Sequence, residues 1–377
     1  MTAMPSHPEF LPTGRPVVGH RRDWGELPQE ERFGIGVLGL HEGLTLLVGL
    51  RAARLCRAVA GCDLSPEKRA AAEEACPGLF VTDDYAEMLA RDDVRIVAIY
   101  TPDPYHADHI EAAFRAGKDV LCTKPLINDP KDAERIRRAA QETGRRLMVG
   151  QSTRFGEPFL RQRERFERGE LGEVELVDAH YVHRMDWYYE KSPWTIEGTH
   201  WAYLGLSHPV DLVRWYLGRI AEVHAFGTVS NLGGSFGLKT PDAIAVNLRA
   251  ENGRIGRVMG HYGMHELPKA RSLIECLLMG SEGTSLARYP ELRLTRIEDG
   301  IEIDEDMGHA MTGYYSRHEL LGMHYGEFCN YAEYFASCLL SGTPNSPNLE
   351  EGLETVATMR AIVASLESGR AEPVLRL

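Results

Sequence analysis

Four short stretches of this 377-residue chain carry side chains able to do chemistry. The first is Gly36-Val37-Leu38-Gly39-Leu40-His41-Glu42-Gly43. A dinucleotide-binding turn wants G-x-G-x-x-G between a strand and a helix. The backbone can then approach a pyrophosphate, and the helix N-terminus faces it. Gly39 fits the first glycine, His41 stands where the second belongs, and Gly43 comes one residue early for the third. Glu42 sets a negative charge beside the phosphate position. The alternative is a tight strand-to-helix turn that binds nothing. The second stretch ends on Asp63, 24 residues after Gly39. An acid there hydrogen-bonds an adenosine ribose and favours NAD over NADP, although aspartate also serves as an ordinary strand-end turn residue.

The third stretch is Thr101-Pro102-Asp103-Pro104-Tyr105-His106. It follows a strand-like run, and open α/β sheets bind ligands at the carboxyl ends of their strands. Its alternative is a capped loop with a partly exposed histidine. The fourth is Cys122-Thr123-Lys124-Pro125. An X-Pro bond can be cis, and a cis bond there would turn the ammonium toward the crevice; a solvated surface lysine is the alternative. Seven of the 23 residues from 181 to 203 are aromatic, against 8% of the whole chain. Such rings stack on the apolar faces of sugars or fill a subunit interface. His180, His183, His200, His208 and Asp186 match no zinc spacing, so no metal site is expected.

These residues need elements to hold them. From Phe33 apolar runs alternate with amphipathic ones: strands at Phe33–Leu38, Leu55–Cys62, Leu79–Thr82, Arg95–Tyr100, Asp119–Cys122 and Arg146–Val149, with helices at Gly43–Leu50, Ser65–Ala75, Tyr85–Ala90, Tyr105–Ala116 and Lys131–Thr143. Strands apolar throughout belong to a parallel sheet covered on both faces. After about residue 155 alternating strands dominate, at Val174–His183, Ala221–Val229, Asp242–Ala250, Ile255–Tyr262, Ser272–Met279 and Leu292–Ile297. A helix is expected near Pro209–Leu217, and two more close the chain at Tyr325–Leu340 and Leu349–Ser368. The expected fold is an α/β Rossmann domain, a doubly wound parallel sheet, followed by an α+β domain with a large, mostly antiparallel open sheet. The divisions are an irregular arm over 1–32, a dinucleotide-binding domain over 33–150, and a substrate and oligomerisation domain over 151–377. The closing helices are expected to pack back on the first domain.

Lys and Arg total 42 and Asp and Glu 55, a net charge of -13. That balance argues against nucleic acid or an anionic membrane as partner. No apolar run reaches the ~20 residues of a membrane helix. The start shows no secretory signal, and the seven scattered cysteines suit reduced thiols in the cytoplasm.

In order and spacing, the Gly39 turn, Asp63, Thr101-Pro102…His106, Thr123-Lys124-Pro125 and Gln151…Arg154-Phe155 resemble the glucose–fructose oxidoreductase / inositol dehydrogenase / MocA family. So do Gly205-Leu206-Ser207-His208-Pro209-Val210-Asp211 and the closing Glu350–Arg370 helix. The resemblance implies an NAD(P)-dependent oxidoreductase moving a hydride to or from a hydroxyl or keto carbon of a sugar, sugar derivative or cyclitol. It implies Lys124, His208 and Tyr203 as catalytic residues. The cofactor would be held by Gly39, Leu40, His41, Gly43, Asp63, Thr101, Asp103, His106, Thr123, Lys124 and Gln151. The substrate would meet Lys124, Arg154, His183, Trp187 and His208, in a homodimer or homotetramer. Three positions depart from the family pattern: His41 replaces a glycine, Thr123 a glutamate, and Leu204 the acid common four residues before the histidine. They keep two other readings open: a non-catalytic dinucleotide- or sugar-sensing protein, or an NAD-dependent lyase or glycosidase.

Overall fold

A computed structural model describes residues 26–267, 271–298, 300–308 and 324–377. Trp24 and most of the expected arm lie outside the described residues. Within the arm's last residues, Leu27 packs on the core, and Arg32 donates to the carbonyls of Leu27 and Ala53.

The first layer alternates strand and helix: β1 (Phe33–Leu38), α1 (Gly43–Gly49), β2 (Cys56–Cys62), α2 (Pro66–Ala75), β3 (Phe80–Thr82), α3 (Tyr85–Leu89), β4 (Ile96–Ile99), α4 (His106–Arg115), β5 (Asp119–Thr123), α5 (Ala133–Thr143) and β6 (Leu147–Gly150). The six strands pair in parallel in the order β3-β2-β1-β4-β5-β6. Strand order reverses between β1 and β4, which opens a crevice at their carboxyl ends. β1 and β4 are buried along their whole length, as the apolar runs require. At α2 the cap reads as expected: the Ser65 hydroxyl accepts from the Lys68 amide at 3.4 Å, and Pro66 opens the helix.

The second layer begins with α6 (Glu157–Glu167), β7 (Val174–Val182), three short helices α7 (Asp186–Lys191), α8 (Trp194–Glu197) and α9 (Trp201–Leu204), and α10 (Ser207–Leu217). It continues through β8 (Ile220–Thr228), α11 (Asn231–Ser235), β9 (Ala243–Ala250), β10 (Ile255–His261), β11 (Ile274–Gly280), β12 (Thr284–Tyr289), β13 (Arg293–Glu298) and β14 (Ile301–Asp306). Two long helices, α12 (Glu327–Ser341) and α13 (Leu349–Ser368), and the short β15 (Glu372–Pro373) close the chain. The nine-stranded sheet runs β14-β13-β12-β11-β7-β10-β9-β8-β15. It is antiparallel except where β10 pairs with β7.

The sequence reading passed over α6, β12, β14 and β15. The buried face of α6 mixes Phe159 and Leu160 with Glu157, Gln162 and Glu164, which breaks its apolar period. Gln162 Nε2 instead donates to the Cys276 and Ser285 carbonyls, both at 2.9 Å. β14 is acidic and exposed, and ion pairs hold it to β13: Arg293 to Asp304 at 2.6 Å and Arg296 to Glu305 at 2.8 Å.

α12 returns to the first layer. Phe328, Tyr331, Ala332 and Phe335 share a core with Ile35, Val37 and Leu46. The buried Glu333 carboxylate accepts the backbone amides of Arg54, Leu55 and Cys56 at 3.1, 2.9 and 3.1 Å, fixing the start of β2. Glu333→Ala leaves these amides without that acceptor and should cost on the order of 3 kcal/mol. The urea-unfolding midpoint should fall accordingly; an unchanged midpoint would show that Glu333 does not anchor β2.

Candidate active site

The crevice begins at the turn after β1. Gly39 has φ 88°, and a Cβ there would lie 2.7 Å from the Tyr100 carbonyl group, so only glycine fits. A Cβ on Gly43 would meet Val37 Cγ1 at 2.5 Å. Gly43 thus lets α1 press onto β1, the packing role of the fingerprint's third glycine. Asp63 braces the turn: Oδ2 accepts the Leu40 amide at 2.8 Å and Oδ1 the Ser65 amide at 2.9 Å. Each oxygen keeps a lone pair for a ribose hydroxyl. No side chain caps α1. Glu42 lies half-exposed at that end, 3.5 Å from the Lys191 ammonium of α7. His41 Nε2 is buried without a hydrogen-bond partner, and burial together with Lys191 lowers the ring's pKa.

Lys124 follows β5 through a cis bond to Pro125. Its ammonium donates to the Leu204 carbonyl at 3.1 Å. Burial pushes its pKa down to about 8, against the opposing pull of Asp103 and Glu42. Asp103, in the loop after β4, accepts from the Thr199 hydroxyl at 2.8 Å, while its Oδ1 is buried without a partner. Burial raises this carboxyl to about 6, although Thr199 and Lys124 favour its charged form.

His208 sits in the first turn of α10. Its Nδ1 is 3.0 Å from the Thr153 hydroxyl, in the turn after β6. Burial, then the charge of Lys124 and the influence of nearby His324, hold its pKa well below the usual histidine value, so the ring is neutral. Gln151 anchors the same turn by donating to Ser207 at 3.1 Å; its Oε1 is buried without a partner. From β7 the Tyr181 ring stands 6.0 Å from the His208 ring and 6.4 Å from that of His183. His183 pairs with Glu266 and lies 5.9 Å from Trp187, which is 44% exposed.

The structure therefore brings Lys124, His208, Gln151, Asp103 and the Gly39 turn to one crevice, with His183 and Trp187 on the second-sheet side. Three expected site residues lie elsewhere. The Arg154 guanidinium is buried in a two-pronged bond to Asp211, at 2.6 and 2.8 Å, and so braces α10 instead of reading substrate. Both His106 ring nitrogens face backbone carbonyls, Pro125 at 2.9 Å and Thr101 at 2.8 Å. This buried ring clamps the Lys124 loop. Tyr203 packs into the core, and the charged groups that bear on its hydroxyl are Arg360, Asp129 and Glu367. His200 caps α9, its Nδ1 accepting the Ala202 amide at 3.0 Å. Thr153 and the Leu204 carbonyl were missed; neither residue type signals such a role in sequence. Among the described residues no His, Cys, Asp or Glu cluster is placed to hold a metal, and no helix is long and apolar enough to cross a membrane.

Fold and crevice define a two-domain dinucleotide-fold protein with a buried lysine and a buried, neutral histidine. The oxidoreductase family model described as an NAD-binding Rossmann fold matches residues 33–151, and the GFO/IDH/MocA C-terminal domain matches residues 159–285. The chain belongs to the GFO/IDH/MocA family. It is 30% identical over 198 residues to a 1-carboxy-3-chloro-3,4-dihydroxycyclohexa-1,5-diene dehydrogenase of Comamonas testosteroni, covering 51% of this chain and 49% of that one. To an inositol 2-dehydrogenase of Gluconacetobacter diazotrophicus it is 31% identical over 194 residues, covering 49% of this chain and 54% of the relative. The matches thus span about half the length of these curated relatives. Among solved structures, levoglucosan dehydrogenase with NADH and levoglucosan superposes with TM-score 0.78 at 20% identity, over 92% of this chain and all of that one. At that identity the likeness shows the fold.

Because the charge on Asp103 holds the Lys124 pKa up, Asp103→Asn should move it below about 8. The check is ¹³C NMR titration of methylated lysines, with the Lys124 signal assigned by its loss in Lys124→Arg. An unchanged midpoint would show that the carboxylate does not reach the ammonium.

Proposed function

We propose that the chain is an NAD(P)-dependent oxidoreductase acting on the CH–OH carbon of a sugar, sugar derivative or cyclitol. The carrying observation is the tuned ammonium of Lys124, held by the Leu204 carbonyl and bearing electrostatically on neutral His208, near where the parallel sheet reverses its strand order. The dehydrogenases among the relatives support the same reading. The cradle suits a dinucleotide. Gly39 leaves room for close approach, Asp63 keeps lone pairs toward a ribose, α1 has no side-chain cap, and Gln151 Oε1 lacks a partner. Asp63 favours NAD, with NADP as the second choice.

When bound, the nicotinamide supplies a hydride acceptor or donor. The chain's residues supply position and charge. Lys124, pointed by the Leu204 carbonyl and the His106 clamp, stabilises the oxyanion that develops as a hydroxyl loses its proton. His208, steadied by Thr153, hydrogen-bonds the same hydroxyl and fixes the carbinol carbon. Tyr181 and Trp187 offer flat surfaces to the ring of the polyol. The same reading includes a homodimer or homotetramer joined through the outer face of the second sheet, where Phe226 and Ile255 stand exposed. A reducing cytoplasm suits seven free thiols.

A panel of sugars and cyclitols with NAD or NADP, followed by absorbance of the reduced nicotinamide, tests the reading. Lys124→Ala should lower kcat by roughly 10²-fold or more while the dinucleotide still binds. A near-normal rate in that variant would overturn the assignment. Failure of either dinucleotide to bind saturably would leave a non-catalytic protein on this fold.

A further inference from the structure

The departure at Leu204 leaves a chemical question. Where the family commonly has an acid, this chain offers only a backbone carbonyl, and that carbonyl is occupied by the Lys124 ammonium. With a pKa near 8, Lys124 is mostly protonated at neutral pH and acts as a donor. His208 has a hydroxyl behind its Nδ1, not a carboxylate, so either tautomer satisfies its partner. His208 thus has no carboxylate in hydrogen-bond contact to stabilise an imidazolium.

A second histidine has such a carboxylate. Glu327, the first residue of α12, is 2% exposed. It gathers three donors: the Tyr289 hydroxyl at 3.1 Å, the Tyr325 amide at 2.7 Å and His324 Nδ1 at 2.7 Å. An ionised carboxylate only accepts hydrogen bonds. His324 Nδ1 must therefore carry its proton, which leaves Nε2 with a free lone pair. The carboxylate would also stabilise the imidazolium that forms when Nε2 takes a proton.

The pair packs, through Phe328, against Tyr100, the residue that follows β4. The His324 ring lies 4.1 Å from the Phe328 ring, and Phe328 lies 5.4 Å from Tyr100. Tyr100 is the residue whose backbone closes on Gly39. Lys124 and His324 both lie close enough to bear electrostatically on His208. The His324 side chain keeps 27% of its surface open, while that of Glu327 keeps 3%. This is an accessible base with a buried carboxylate behind it.

We propose that His324, oriented by Glu327, is the proton acceptor of this enzyme; the proposal rests on the oxidoreductase reading above. In the oxidative direction the carbinol C–H pair leaves as hydride to the oxidised nicotinamide. The O–H proton passes to His324 Nε2, and the carbon–oxygen bond becomes C=O. The two electrons are then on the nicotinamide and the proton on the imidazole, which returns it to water. Glu327 is a positioning residue: it sets the tautomer and touches no substrate.

The test uses the full chain and whichever polyol of the panel the wild type oxidises. His324→Gln should lower kcat by about 10²-fold, with NADH binding, read by fluorescence, changed less than twofold. Added imidazole should restore part of the rate to His324→Ala. In ¹⁵N NMR, wild-type His324 should show the Nδ1–H tautomer, and Glu327→Gln should lose that preference. Full activity in a folded His324→Gln, or an Nε2–H tautomer in the wild type, would overturn the proposal. A wild type that oxidises no polyol would count against the oxidoreductase reading instead, while the tautomer still decides whether the pair is formed.

Discussion

The site depends on one ammonium group drawn out of water. A charged lysine is costly to bury, and the cost appears as a pKa lowered to about 8. Much of the site is what makes that burial tolerable and directed. The Leu204 carbonyl takes one of its protons, Asp103 and Glu42 supply opposing charge, and the His106 ring fixes the loop that carries it. The elements contributing these groups come from both layers, so the lysine links the Rossmann sheet to α9. Arg154 and Asp211 perform the corresponding task for His208: their buried pair locks α10 to the turn after β6. Breaking such a pair leaves an uncompensated charge in the interior, so it specifies position more than it adds stability.

The departures from the family pattern have physical counterparts in the structure. Glu42 would repel a diphosphate, and Lys191 reaches from the second layer to within 3.5 Å of it, supplying the missing positive charge. Gly43 performs its packing task one residue early because Val37 leaves no room for a Cβ. In the proposal above, the buried carboxylate of Glu327 takes the place of the acid absent at Leu204. A chain can thus keep an arrangement of charge while changing which residue supplies it.

Most of the first layer was legible in sequence, for a simple reason. Its strands are buried on both faces and read as unbroken apolar runs, as Phe33–Leu38 and Ile96–Ile99 show. The last helix ended where its glycine, Gly369, permits a left-handed cap. Elements held by polar contacts were not legible: α6 turns Gln162 inward, and β14 is stitched on by arginine–aspartate pairs. The site divided the same way. Lys124, His208 and Asp63 announce themselves by residue type and place. Arg154, His106 and Tyr203 look equally functional in one dimension, yet burial gives them structural work. Thr153, His324 and Glu327 gain meaning only from neighbours far off in the chain, and no local pattern marks them.

The most direct test of the central claim is a single turnover. Stoichiometric protein and NAD are mixed with a polyol from the panel, unlabelled or deuterated at the carbinol carbon, and reduced nicotinamide is followed by stopped flow. The account predicts one equivalent of reduced nicotinamide, formed more slowly from the deuterated substrate because the carbon–hydrogen bond breaks at this site. No reduced nicotinamide at any pH between about 6 and 9, across the range in which Asp103 and Lys124 titrate, would contradict it.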